Sequence, residues 1–78
     1  MRAGPGPRER GRVDGNPTPR ELEVVTLIAY GHTNNEIARQ LGISLRTAEM
    51  HRANAMRKIG ATSRADVTAW ALRNELLH

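Results

Sequence analysis

The chain has 78 residues, a length that suits one small domain with a limited core. It contains no cysteine, which excludes disulfides and thiolate metal sites, and no apolar run approaches the ~18 residues that a membrane span needs. The net charge of +4 favours a polyanionic partner, and we expect a soluble, cytoplasmic protein without cofactors.

Residues 1–16 are rich in glycine, proline and arginine and have no apolar periodicity. This composition predicts a disordered arm or linker, separate from a folded domain over residues 17–78. Arginines in the arm would reach a phosphate backbone easily. The segment is equally well explained as the tail of a longer chain.

The starts of four helices are marked by capping residues. The Thr-x-x-Glu pattern of a capping box occurs at 18–21 and again at 33–36, and it predicts the first two helices. Ser44 and Ser63 are the predicted N-caps of the third and fourth helices.

Glycines at positions 31, 42 and 60 mark the ends of the first three helices. We therefore expect a third helix over Leu45–Ile59 and a fourth over Arg64–Leu77. Strict alternation of apolar and polar residues, the sign of a strand, occurs nowhere, so the predicted fold is all-α.

The second and third helices are joined by only three residues, Gly42-Ile43-Ser44. So short a connection forces the helices to cross steeply, as in a helix-turn-helix. Such a crossing needs a glycine that adopts positive φ and a small residue where the backbones approach, and Gly42 and Ala38 fit these roles. We expect four apolar residues to hold the two helices together: Ile37, Leu41, Ile43 and Ala48.

Positive charge is concentrated around the third helix. Residues 44–64 carry a net charge of +4, whereas residues 17–43 and 65–78 each carry −1. This asymmetry is typical of a nucleic-acid interface, although a solvated helix face would have the same composition.

Residues 17–78 resemble the C-terminal DNA-binding domain of the LuxR/FixJ/GerE family of bacterial transcription regulators. The resemblance rests on linked motifs: Thr-Pro-Arg-Glu at 18–21, Asn-Glu-Ile-Ala-x-x-Leu-Gly-Ile-Ser at 35–44, Arg-Thr-x-Glu-x-His-Arg-Ala-Asn at 46–54 and Arg-Lys-Ile-Gly at 57–60. The sequence of the third helix most resembles that of FixJ-type response regulators, which carry a receiver domain that these 78 residues do not include.

The resemblance implies a four-helix, helix-turn-helix fold that binds double-stranded DNA in transcription regulation, with the third helix, residues 45–59, in the major groove. It implies bases read by Glu49, Met50 and Ala53. It implies phosphate contacts from Thr33, Asn35, Arg46, Thr47, Arg52, Asn54, Arg57 and Lys58. It also implies a homodimer on DNA through the fourth helix, residues 64–77, at Val67, Trp70, Ala71 and Asn74.

Three positions depart from the family pattern: Pro17 replaces a usual leucine, Ala48 a usual valine, and Glu49 a frequent lysine. The first two substitutions remove apolar volume that would pack in the core. Glu49 weakens non-specific attraction to DNA, so it is either a reader of cytosine or a selectivity filter.

A helical module that binds a protein, such as an RNA polymerase subunit or a receiver domain, is the alternative function. An enzyme is disfavoured because the sequence contains no nucleophile with a base, no paired carboxylates and no phosphate-binding glycine loop. His51 is interpreted as structural or phosphate-contacting, and no metal site is expected.

Overall fold

The computed structural model describes residues 16–77 and contains four α-helices: α1 (Pro19–Ala29), α2 (Asn34–Leu41), α3 (Leu45–Ile59) and α4 (Arg64–Arg73). No strand occurs in this part of the chain, so the predicted all-α fold is confirmed. None of the four helices is long and apolar enough to cross a membrane. Apart from Asn16, the predicted arm lies outside the described residues, and the division at residue 17 stays a prediction.

Each helix begins at the residue that its capping pattern predicts. At α1, the side chain of Thr18 accepts a hydrogen bond from the backbone N–H of Glu21 at 3.1 Å, and Oε1 of Glu21 accepts from the N–H of Thr18 at 2.9 Å. The same reciprocal pair opens α2, and a serine side chain caps α3 and α4. These bonds satisfy donors that a first helical turn leaves unpaired.

All four helices also end in the same way. A residue with positive φ reverses the chain, and the next backbone N–H donates to the carbonyl five residues earlier, at 2.9 to 3.0 Å. This is the Schellman arrangement, which satisfies carbonyls at a helix end. The reversing residues are Gly31, Gly42, Gly60 and Glu75.

The fourth helix is shorter than predicted. It ends at Arg73 and not at Leu77, because Glu75 adopts a φ of 60° and turns the chain. Leu76 and Leu77 therefore do not extend the helix; they fold back and pack against the core as partly buried side chains.

The core is built around α1, which packs against both α3 and α4. Val24, Val25 and Ile28 of α1 are fully buried, together with Ile37 of α2 and Val67 of α4. These aliphatic residues pack closely around α1. One side of α3 packs against α1, and the opposite side of α3 faces solvent.

The turn between α2 and α3 has the predicted form. Gly42 adopts a φ of 69°, a conformation that costs other residues free energy because of their Cβ atom. Ala38 and Ala48 are buried where the two helices meet, and Leu41 and Ile43 pack against the same cluster. The helix-turn-helix is thus held by small residues at its crossing and by aliphatic residues around it.

Candidate nucleic-acid interface

The outward face of α3 is a continuous exposed stripe. Glu49, Met50 and Ala53, the predicted base-reading residues, are all exposed, and 54% of the Met50 surface is accessible. They share one face because residues three and four apart are neighbours on a helix. Ala48 and Ala55 occupy the opposite, buried face.

Arginines stand at both ends of this stripe. Arg46 lies in the first turn of α3 and Arg57 in the last, and both are exposed. Nη1 of Arg57 donates to Oδ1 of Asn54 at 3.1 Å, which draws two of the predicted phosphate-contacting side chains together. In the middle of the stripe, the uncharged side chains of Met50 and Ala53 lie beside the carboxylate of Glu49. An arginine stands at each end of the stripe.

Hydroxyl groups flank the start of α3. The Ser44 hydroxyl caps the helix by accepting from the N–H of Thr47 at 3.0 Å, and it donates to Oγ1 of Thr47 at 2.9 Å. Since the Thr47 hydroxyl is an acceptor in this bond, its own proton remains available for an outside acceptor such as a phosphate oxygen.

Arg52 connects α3 to α2. Its Nη1 donates to Oδ1 of Asn34, the first residue of α2, at 3.4 Å. This places the guanidinium near the N-terminus of α2, where Thr33 and Asn35 are exposed. Sequence reasoning missed Asn34, because a partner 18 residues away leaves no signal in local spacing.

Lys58 differs in its surroundings from the other predicted phosphate-contacting residues. Its side chain is only 16% exposed, and its Nζ donates to Oε1 of Glu21 at 3.0 Å. The ammonium group thus forms an ion pair with a carboxylate of α1. Lys58 thus joins the end of α3 to α1 and lies outside the exposed stripe, and its contact with phosphate stays a prediction.

The carboxyl of Glu21 is held in its charged form although it is buried. Burial raises its pKa, but hydrogen bonds from Thr18 and from Lys58, together with the charge of Lys58, outweigh burial and lower the pKa below its ordinary value. A single carboxylate therefore completes the cap of α1 and anchors α3.

The predicted dimer interface on α4 is only partly accessible on the surface of the monomer. Val67 and Ala71 are fully buried against α1, so in the monomer their side chains contribute to the core, and their part in a dimer stays a prediction. Trp70 is half-buried and Asn74 is exposed, and both line a shallow groove of about 300 Å³ beside Pro17 and Leu22.

Leu72 was not predicted as an interface residue, yet it is 60% exposed. It is the most exposed of the large apolar side chains within residues 16–77. The fourth helix carries more apolar residues than one buried stripe needs, but the helical pattern alone does not show which of its leucines is exposed.

His51 is partly buried on α3. Within the part of the chain that the structure describes, no three His, Cys, Asp or Glu side chains are grouped so that they could hold a metal ion.

The sequence matches the family described as bacterial regulatory proteins, luxR family, over residues 17–71. Among curated proteins, it is 43% identical to the oxygen regulatory protein NreC of Staphylococcus aureus over 58 residues, which are 74% of this chain and 27% of NreC.

Two solved structures share the fold. Full-length FixJ from B. japonicum superposes with a TM-score of 0.68 at 39% identity, over 78% of this chain and 30% of FixJ. The Vibrio cholerae LuxR-type receptor VqmA superposes with a TM-score of 0.67 at 37% identity, over 86% of this chain and 29% of VqmA.

The chain spans less than a third of the length of each of these relatives. The match nevertheless covers the whole of α1, α2 and α3, including the exposed stripe and the turn that precedes it. The chain belongs to the LuxR family of bacterial regulatory proteins and is a helix-turn-helix DNA-binding domain of that family.

Proposed function

We propose that residues 17–78 bind double-stranded DNA in a sequence-specific manner and regulate transcription, with α3 in the major groove. The observation that carries this proposal is the exposed stripe of α3, in which the exposed side chains of Glu49, Met50 and Ala53 lie between two exposed arginines. An α-helix fits the width of the major groove, where base pairs present distinct patterns of donors and acceptors.

The roles of the side chains follow from their chemistry. Arg46, Arg52 and Arg57 neutralise phosphates, and Thr33, Asn35, Thr47 and Asn54 donate hydrogen bonds to phosphate oxygens. Glu49, Met50 and Ala53 face the base edges between those contacts. Lys58 supports this arrangement indirectly, because its ammonium group is paired with the carboxylate of Glu21 and joins α3 to α1.

We further propose that the domain acts as a homodimer on DNA through the exposed part of α4. Of the predicted interface residues, Trp70 and Asn74 are accessible on the monomer, and Leu72 adds exposed apolar area. VqmA is described as a dimer that has a target DNA. Two copies of α3 would then reach half-sites about one helical turn apart.

The relatives are longer than this chain, so further domains and partners belong to the same proposal. A receiver domain would control access to the DNA-binding surface, and RNA polymerase is the partner expected of a cytoplasmic transcription regulator. The proposed DNA-binding step involves only residues of α2 and α3 and the turn regions beside them, and it is the step to test first.

The test is a selection from a pool of random double-stranded DNA, carried out at about 50 mM and about 200 mM salt, followed by sequencing of the retained molecules. We expect a short, roughly two-fold symmetric motif whose binding weakens steeply as salt rises. Retention without an enriched motif would contradict sequence-specific reading, and no retention at the lower salt would contradict DNA binding altogether.

A matched pair of variants separates this function from a protein-binding module. Arg52→Ala and Arg57→Ala remove charge from the proposed DNA side and should abolish retention of the pool. A contact with a protein through α4 would survive both substitutions, because neither residue lies on that helix.

A further inference from the structure

Glu49 is the one acidic residue of α3. A negative charge is unusual on a surface that is proposed to contact DNA. It is exposed on the outward face, one helical turn from Arg46 and from Arg52. No hydrogen bond or ion pair joins it to another residue within 16–77; Arg52 reaches Asn34 instead.

An unpaired carboxylate at this place has an electrostatic cost in the proposed complex. It weakens the attraction to every phosphate nearby, and it loses water when α3 enters the groove. Both costs are recovered only where a base presents a donor to the carboxylate. The arrangement therefore favours some base pairs strongly over others.

We propose that Glu49 reads a cytosine through its N4 amino group, and that binding by this domain therefore responds to methylation of that amino group. The inference rests on the proposed function, which it deepens. In the major groove, guanine and thymine present hydrogen-bond acceptors, and adenine places an acceptor beside its donor. Cytosine alone presents a donor with no acceptor next to it, which is the pattern that a carboxylate needs.

Methylation at N4 removes this donor. One N4–H of a paired cytosine bonds to guanine, and the other points into the major groove. Because pairing keeps the first, a methyl group on N4 must take the position of the second. The carboxylate of Glu49 would then face a methyl group, with its charge desolvated and unpaired.

Methylation at C5 has a different consequence, because of the neighbours of Glu49. Met50 is adjacent and exposed, and Ala53 lies one turn further along the same face. Both side chains make only apolar contacts, which suit a methyl group on C5 of a pyrimidine. The same surface should thus reject an N4-methyl group and accept a C5-methyl group.

The experiment uses the motif that wild-type protein enriches from the random pool. Binding is measured by fluorescence anisotropy on that duplex, with single cytosines replaced in turn by N4-methylcytosine or by 5-methylcytosine. Wild type is compared with Glu49→Ala, which removes the acceptor, and with Glu49→Gln, which has the pattern that pairs with adenine. Since position 49 is exposed, circular dichroism of both variants should match wild type.

We expect one cytosine in each half-site at which N4-methylation weakens wild-type binding about tenfold or more and 5-methylation does not. Glu49→Ala should lose both the preference for cytosine and the response to N4-methylation at that position, and Glu49→Gln should shift the preference toward adenine. Selection of one and the same motif by wild type and Glu49→Ala would overturn the inference while leaving the proposed function intact. An equal effect of N4-methylation on the two proteins would also overturn it. Failure of wild type to enrich any motif would instead overturn the proposed function.

Discussion

The ion pair between Lys58 and Glu21 joins the end of α3 to the start of α1, with 3.0 Å between Nζ and Oε1. Both side chains are largely removed from water, so neither charge is well solvated without the other. The pair therefore stabilises the fold less by its own attraction than by preventing an unpaired charge in this position.

Removal of either partner should destabilise the domain. We expect Lys58→Met and Glu21→Gln each to lower the free energy of unfolding by about 1–3 kcal/mol, less than for a fully buried pair because Lys58 retains some exposure. Glutamine keeps the acceptor of the capping box, so Glu21→Gln isolates the charge.

Urea denaturation of the two single variants and the double variant measures this coupling. The double variant should cost less than the two single changes added together. As a control, Arg46→Met on the exposed stripe should stay within about 0.5 kcal/mol of wild type. Strict additivity of the single effects would contradict an ion pair in solution.

Glu75 ends α4 although it is not a glycine, the residue that usually marks the end of a helix in a sequence. It takes the left-handed conformation, with a φ of 60°, that glycine takes at the ends of α1, α2 and α3. A residue with a Cβ atom is strained there. Because no glycine follows α4, sequence reasoning extended that helix to Leu77.

Glu75→Gly should relieve this strain. We expect the free energy of unfolding to rise by about 0.5–1 kcal/mol in urea denaturation, since the native φ already suits glycine. Glu75→Ala is the matched control: it removes the carboxylate but keeps the Cβ atom. A gain for alanine equal to that for glycine would assign the effect to charge and not to conformation.

At the scale of elements, three carboxylates at helix starts share one property. Hydrogen bonds from backbone and side chains of Thr62 and Ser63 lower the pKa of Asp66, chiefly those of Thr62. The backbone N–H of Thr33 is the main cause of a lowered pKa at Glu36. At Glu21, burial raises the pKa, but the bonds from Thr18 and Lys58 prevail.

These lowered values make the caps sensitive to acid. A carboxyl whose folded pKa lies below its unfolded value stabilises the fold above the unfolded value, which is ordinarily 4.5 for glutamate and 3.8 for aspartate. That stabilisation is lost as the pH falls through the lowered folded values. We expect the midpoint of thermal unfolding to decrease below about pH 4.5, and Glu36→Gln to flatten the decrease. A midpoint that stays constant down to pH 3 would contradict this account of the caps.

The helix starts could be predicted from sequence because each depends on side chains within four residues. Thr18 and Glu21, or Ser44 and the N–H of Thr47, form the same local bonds in many chains. Contacts between elements could not be predicted in this way. Lys58 meets a carboxylate 37 residues away, and Val67 is buried in the core of the single chain, which depends on how α4 is rotated in the packed fold.

At the scale of the whole molecule, a dimer on DNA should depend on the exposed side of α4. Leu72→Glu places a charge where 60% of an apolar side chain is exposed, without disturbing the buried Val67 and Ala71. We expect this variant to bind a duplex with two half-sites at least about tenfold more weakly, and to bind a duplex with one half-site like wild type. Gel-shift titration of both duplexes is the measurement. Equal weakening on the two duplexes would contradict a role for Leu72 in dimerisation.

The central claim is that the exposed stripe of α3 binds the DNA backbone and reads its bases. Its most direct test is the dissociation constant on the selected duplex, measured over a range of salt concentrations for wild type, Arg46→Ala and Arg20→Ala. Arg46 is exposed at the start of the stripe, whereas Arg20 lies on α1 in an ion pair with Glu23 at 3.3 Å. We predict that Arg46→Ala weakens binding and reduces the slope of log affinity against log salt by about one, and that Arg20→Ala changes neither. Equal slopes and affinities for all three proteins would contradict the claim.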